Sequence, residues 1–100
     1  MVRHKFNAQQ TIRDGYKFPS KKEAEFYNML KTAQEGGYVL FFLRQVPFHL
    51  PGNVIYRLDF MVFYTDGHVQ CVDVKGVRTE QYKTKKKMVE ALYPITIEER

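Results

Sequence analysis

The sequence has no tryptophan and a single cysteine, Cys71, which excludes an internal disulfide and a cysteine-rich zinc module. Its three histidines, His4, His49 and His68, are scattered, without the short spacings that paired metal ligands show. Long apolar runs are missing too. The longest, Tyr38 to Leu43, is far shorter than the ~20 residues needed to cross a bilayer. The N-terminus is basic but no apolar segment follows it, so it does not read as a secretory signal. No repeat or low-complexity stretch occurs. These absences together point to a reducing, cytoplasmic setting.

What is present points to a folded globule. Hydrophobic residues make up 44% of the chain and aromatic residues 15%, too many for a disordered chain. At 100 residues the chain is expected to be one domain, 1–100, with one core. The net charge of +5 favours polyanionic partners, nucleic acid among them. Residues 1–17 show no clear period and carry Arg3, His4, Lys5, Arg13 and Lys17. They read as a basic arm on the surface, solvated or lying along a nucleic-acid backbone.

Ser20 followed by Glu23 is a capping box, and the helix it opens should run to Gln34 or Glu35 and stop at Gly36-Gly37. Phe26, Tyr27, Leu30 and Ala33 fall on one stripe of that helix, and Glu23 projects into the stripe. Capping alone would account for Glu23, but its direction also lets it reach a sheet beneath. Tyr38 to Leu50 reads as a long strand interrupted at Pro47. Pro51-Gly52-Asn53 turns it into a second strand, and a third follows, giving an antiparallel meander. A second helix is expected from Arg78 or Thr79 to Tyr93, burying Tyr82, Val89, Leu92 and Tyr93 with Met88 on its flank. Ile95-Thr96-Ile97 reads as a final strand. The fold class is α+β: a mixed four-stranded sheet with two helices.

Two acids stand in otherwise apolar strands. Asp59 lies within Tyr56 to Tyr64, and Asp73 precedes Val74-Lys75-Gly76. A carboxylate in an apolar strand is costly unless it is paired, hydrogen-bonded or metal-bound. Two of them on neighbouring strands with a lysine alongside point to a metal site that cuts phosphodiesters. Their relation depends on the turn after Tyr64. A two-residue Asp66-Gly67 loop would set Asp59 opposite Val74. A three-residue loop, Thr65-Asp66-Gly67, pairs Tyr64 with His68 and sets Asp59 opposite Asp73, with Cβ atoms roughly 5 Å apart. The three-residue register is the one expected, with a cation between the two charges. The bland alternative is a set of ordinary ion pairs, Asp73 with Lys75 and Asp59 with Arg57 or Arg44.

The order helix, three strands, helix, strand, together with Glu23, Asp59-Phe60 and Asp73-Val74-Lys75-Gly76, resembles the PD-(D/E)XK nuclease superfamily from Phe18 onward. It is most similar to small phage-encoded members and shares its minimal core with Holliday-junction resolvases. Leu58 stands where many members have proline. The resemblance implies a restriction-endonuclease-like αβββαβ core and a metal-dependent DNA endonuclease, acting on branched or duplex DNA in phage recombination, repair or processing. Its cytoplasm would then be that of a host. Catalysis would fall to Glu23, Asp59, Asp73 and Lys75. Mg²⁺ or Mn²⁺ would be held by Asp59, Asp73 and the Val74 carbonyl, with Glu23 behind them. Gln81, Lys83, Lys85 and Lys86 would contact nucleic acid. Cutting two strands needs two sites, which implies a homodimer. The competing class is a nuclease-fold module that binds nucleic acid or serves in assembly without turnover.

Overall fold

Asp14-Gly15 turns the chain back on itself at the start of the computed structural model, which describes residues 11–100. β1 (Thr11–Arg13) and β2 (Tyr16–Phe18) pair antiparallel across this turn. Asp14 and Gly15 have φ of 50° and 82°, the doubly left-handed geometry that an Asp-Gly hairpin favours. In its described part the expected arm 1–17 is therefore a hairpin, not a loose tail. Its first ten residues, including Arg3, His4 and Lys5, lie outside the described residues. The hairpin is fastened to the body: Phe18 is fully buried, and the Tyr27 hydroxyl donates to Asp14 at 2.9 Å.

Ser20 caps α1 (Lys21–Glu35), its hydroxyl oxygen accepting the Glu23 N–H at 3.1 Å. The helix ends at Gly36-Gly37, as expected, with Gly37 at φ 85°. Ala24, Phe26, Tyr27 and Leu30 form its buried face, extended by Ala33.

β3 (Val39–Leu50), β4 (Val54–Tyr64) and β5 (Val69–Asp73) make the antiparallel meander. After α2 (Glu80–Leu92), β6 (Ile97–Glu99) joins parallel to β5. The strand order β3-β4-β5-β6 gives the expected mixed four-stranded sheet of an α+β fold. β6 begins at Ile97, not Ile95, because the Ile95 N–H is drawn back to the Tyr93 carbonyl at 2.8 Å in a turn after the helix. Among the described residues, no helix is long and apolar enough to cross a membrane.

β3 runs unbroken through Pro47, which pairs with Arg57, so the interruption expected there does not occur. An edge strand tolerates proline where the missing N–H would face solvent. The register against β4 shifts instead between Val39 and Phe41, and Gln45, between the pairs Arg44↔Phe60 and Val46↔Leu58, keeps the register but has a left-handed φ of 52°.

At Gln45 the sheet changes partners. Phe42, Phe60 and Val62 pack with Val72 and Val74 in the cluster that contains the α1 side chains. Past Gln45 and Asp59, residues of the same alternation (Val46, Phe48, Leu50, Tyr56, Leu58) pack with Cys71, Ile97 and Val89 of α2. Two cores thus meet along a seam at Gln45 and Asp59.

Thr79 caps α2 by accepting the Tyr82 N–H at 3.1 Å. Val89 is buried and Tyr82, Met88 and Tyr93 support it, but Leu92 is exposed, correcting its place in the expected stripe. Tyr93 leaves the helix in extended conformation and lays its ring against Phe48 at 5.0 Å.

Candidate active site

The turn between β4 and β5 decides where the strand acids lie. Thr65-Asp66-Gly67 is a three-residue loop with Gly67 at φ 93°, and the Tyr64 N–H donates to the His68 carbonyl at 2.9 Å. The ladder then runs Phe63↔Val69, Met61↔Cys71 and Phe60↔Val72, so the next step sets Asp59 opposite Asp73, as expected. Both acids are buried, at 5% and 0% exposure, and so is Glu23 of α1 at 2%.

The two carboxylates do not face each other across an open gap. The ladder stops at Phe60↔Val72, which leaves buried N–H groups beyond it without strand partners. Such groups must find acceptors, and carboxylates are strong ones. The Asp59 N–H donates to Asp73 Oδ1, and the Val74 N–H donates to Asp59 Oδ2, each at 2.9 Å. Asp73 Oδ2 accepts the Tyr56 hydroxyl and, at 3.2 Å, the Tyr82 hydroxyl. Burial, with a smaller push from Glu99, still holds the Asp73 pKa above its ordinary value, against the opposing pull of the Asp59 N–H, Lys75 and the Tyr82 hydroxyl.

Asp59 is linked to Glu23 through Gln45. The Gln45 amide Nε2 donates to Asp59 Oδ1 and to Glu23 Oε2, both at 3.2 Å. A left-handed residue with a side chain costs on the order of 1–3 kcal/mol, and here two buried acceptors hold it in place. Burial, then the Asp59 charge, pushes the Glu23 pKa up to about 7, with Arg44 and Lys75 opposing. Only the Glu23 backbone N–H serves the Ser20 cap; its carboxylate does not close the expected capping box but turns inward to Gln45 and Arg44.

Two cations border the acids. Lys75 Nζ lies 3.7 Å from Asp59 Oδ2 and 5.3 Å from the centre of the Tyr82 ring. Arg44 Nη2 lies 3.9 Å from Glu23 Oε2, its guanidinium 4.3 Å from the Phe18 ring centre. Arg44 Nε is buried and has no partner among the described residues. The ordinary pairing of Asp59 with Arg57 or Arg44 does not form; Lys75 takes that place.

Three carboxylates against two cations leave the cluster net negative when all are ionised. Carboxylate oxygens are what a hard divalent cation takes, and a cation here would offset both the burial and the Asp59 charge that raise Glu23. The donors that fit in kind are Asp59 and Asp73, then the Val74 carbonyl, with Glu23 standing off behind Gln45. Among the described residues, no three acidic, histidine or cysteine side chains converge as a ready ligand set.

Of the four residues expected on nucleic acid, Gln81 and Lys85 line a groove of about 210 Å³ beside Lys75. Lys83 and Lys86 do not. Lys83 pairs with Glu80 at 3.2 Å, and Lys86 lies 4.0 Å from Glu90 and 3.8 Å from Glu99, all on the opposite flank of α2. Sequence reasoning missed Gln45, Tyr56 and the inward turn of Arg44. Arg44-Gln45 is a polar pair inside an apolar strand, and a tyrosine in a core needs an acceptor for its hydroxyl; both signals were there.

Fold and site together define a small α+β protein with buried carboxylates and a lysine at the seam of two cores. The chain belongs to the family whose model is described as Protein of unknown function (DUF1064), which matches residues 3–97. No curated protein and no solved structure matched it.

Proposed function

We propose that the chain is a metal-dependent DNA endonuclease of the PD-(D/E)XK kind, acting on branched DNA such as a four-way junction. The observation that carries this reading is the register: Asp59 stands opposite buried Asp73, with Lys75 at 3.7 Å. Bound Mg²⁺ or Mn²⁺ would polarise a phosphoryl oxygen and ease deprotonation of water. The chain's own residues do the rest. Lys75 orients the attacking water and offsets the charge that builds on the phosphate. Glu23, with its pKa at about 7, is able to accept a proton near neutral pH. Gln45 fixes the spacing of Glu23 and Asp59, and Tyr56 and Tyr82 fix Asp73.

Cutting two strands calls for two chains. β3 is an edge strand with Leu40, Phe41 and Leu43 exposed, an apolar surface of the kind two copies cover between them. Sedimentation at working concentration should give about twice the 11.9 kDa of one chain; a mass of one chain, with both strands still cut, refutes the dimer.

One observation favours a second reading, a nucleic-acid-binding module without turnover. Both oxygens of Asp73 are already taken, by the Asp59 N–H and two tyrosine hydroxyls. Labelled junction, flap and linear DNA, incubated with Mg²⁺ or Mn²⁺ and then with EDTA, separates the two. Cleavage that requires the metal carries the first reading. Salt-dependent binding without cleavage in either metal carries the second, and cleavage that EDTA leaves untouched overturns the proposed mechanism.

A further inference from the structure

α2 carries cations on both flanks, and the flanks are not alike. On one, Arg78 pairs with Glu99 at 2.7 Å, Lys83 with Glu80, and Lys86 with Glu90 and Glu99. Apart from Lys87, which makes no ion pair among the described residues, charge there is answered within the chain. The other flank faces β4 across the groove beside Lys75, and the groove lining includes Arg57, Lys75 and Lys85 but no acid. Among the described residues, neither Arg57 nor Lys85 makes an ion pair. Like charges gathered around one concavity repel each other unless an anion joins them. Thr79 and Gln81 also line it, so the positive end of α2 adds to the same field.

We propose that this groove seats a backbone phosphate of a nucleic-acid strand, with Arg57 and Lys85 as its cations. That the anion belongs to nucleic acid rests on the nuclease reading; the groove itself rests on the unanswered charge. Arg57 precedes Asp59 by two residues on β4, roughly 6.6 Å along the strand. Lys75 borders both the groove and Asp59. A strand held by Arg57 is thereby led past Lys75 to the buried acids. Arg57 offers a planar fork to the phosphate oxygens, and Lys85 a point charge.

The test is fluorescence anisotropy with labelled duplex over a salt series, in EDTA so that nothing is cut. Arg57→Ala and Lys85→Ala should each weaken binding about fivefold or more and flatten the salt slope by about one. Lys83→Ala makes the same charge change on the answered flank and should stay within about twofold of wild type. Equal losses from Lys83→Ala and Arg57→Ala mean that binding follows net charge, and the groove is overturned. Wild type that binds no DNA overturns it as well. If the variants rank as stated but neither metal supports cleavage, the groove stands and the nuclease reading falls. If wild type cleaves and Arg57→Ala binds as wild type, the nuclease reading stands and the groove falls. Arg57 is exposed and Lys85 only half-buried, so both variants should fold, which circular dichroism checks.

Discussion

Lys75→Ala is expected to slow cleavage by about 10³-fold while weakening DNA binding less than tenfold. On the proposed reading the two effects separate because Lys75 would have two duties. Towards DNA it would be one phosphate cation among several, and losing one would cost a modest factor in affinity. Towards the reaction it would act as the cation nearest Asp59, 3.7 Å away, with its stem only partly exposed against Tyr82. A charge held there, where burial limits screening by water, acts on developing negative charge more strongly than an exposed one does. Lys75→Arg should rescue little, because the broad guanidinium fork does not fit where a compact ammonium rests between a carboxylate and a ring. Single-turnover rates at saturating protein, read beside anisotropy, measure both quantities. Wild-type cleavage by Lys75→Ala would mean that the lysine only neutralises Asp59.

Glu23→Gln should stabilise the protein at pH 8 and change it little at pH 5. The folded-state pKa of Glu23, about 7, lies above its ordinary value of 4.5, so the folded chain holds this proton more tightly than the unfolded chain does. The resulting stability is fully present below about pH 4.5 and is lost as pH rises through about 7. A shift of that size corresponds to about 3 kcal/mol. Glutamine is never charged, and its amide oxygen can still accept from Gln45, so the variant escapes the loss. Urea denaturation at the two pH values measures it. An equal gain at both would show that Glu23 does not titrate near neutrality. Mg²⁺ at pH 8 should narrow the gap between the two proteins by stabilising wild type.

Two Asp-Gly pairs show how far local sequence carries and where it stops. Asp66-Gly67 was legible once the acids on either side were considered, because only the three-residue loop sets Asp59 opposite Asp73. Asp14-Gly15 is the plainer hairpin signal, yet its flanking strands are only three residues each, too short for Tyr16-Lys17-Phe18 to stand out as alternation among the basic residues. The first helix was legible from Ser20 and Gly36-Gly37, since caps act within a few residues of themselves, and the second from its apolar stripe. The partition of the lysines on α2 was not. Glu80 and Glu90 lie within reach of Lys83 and Lys86 on α2 itself, but the second partner of Lys86, Glu99 of β6, and the grouping of Lys85 with Arg57 of β4 come only from the tertiary fold. Pro47 misled for a related reason: its cost depends on whether its strand lies at the edge. At Gln45 the polar side chain was visible in the sequence but its conformation was not, because nothing in the spacing of β3 announces a left-handed residue.

Gln45 also determines what kind of object the site is. Glu23 is rooted in the core beneath α1, while Tyr56 and Tyr82, which hold Asp73, are rooted in the core beneath α2. Asp73 itself lies between Val72 and Val74 of the α1 core, so both cores bear on the distance from Glu23 to Asp73. A packing change in either core, however remote from the acids, therefore shifts them relative to one another. Evolution can adjust such a site without touching any of its carboxylates.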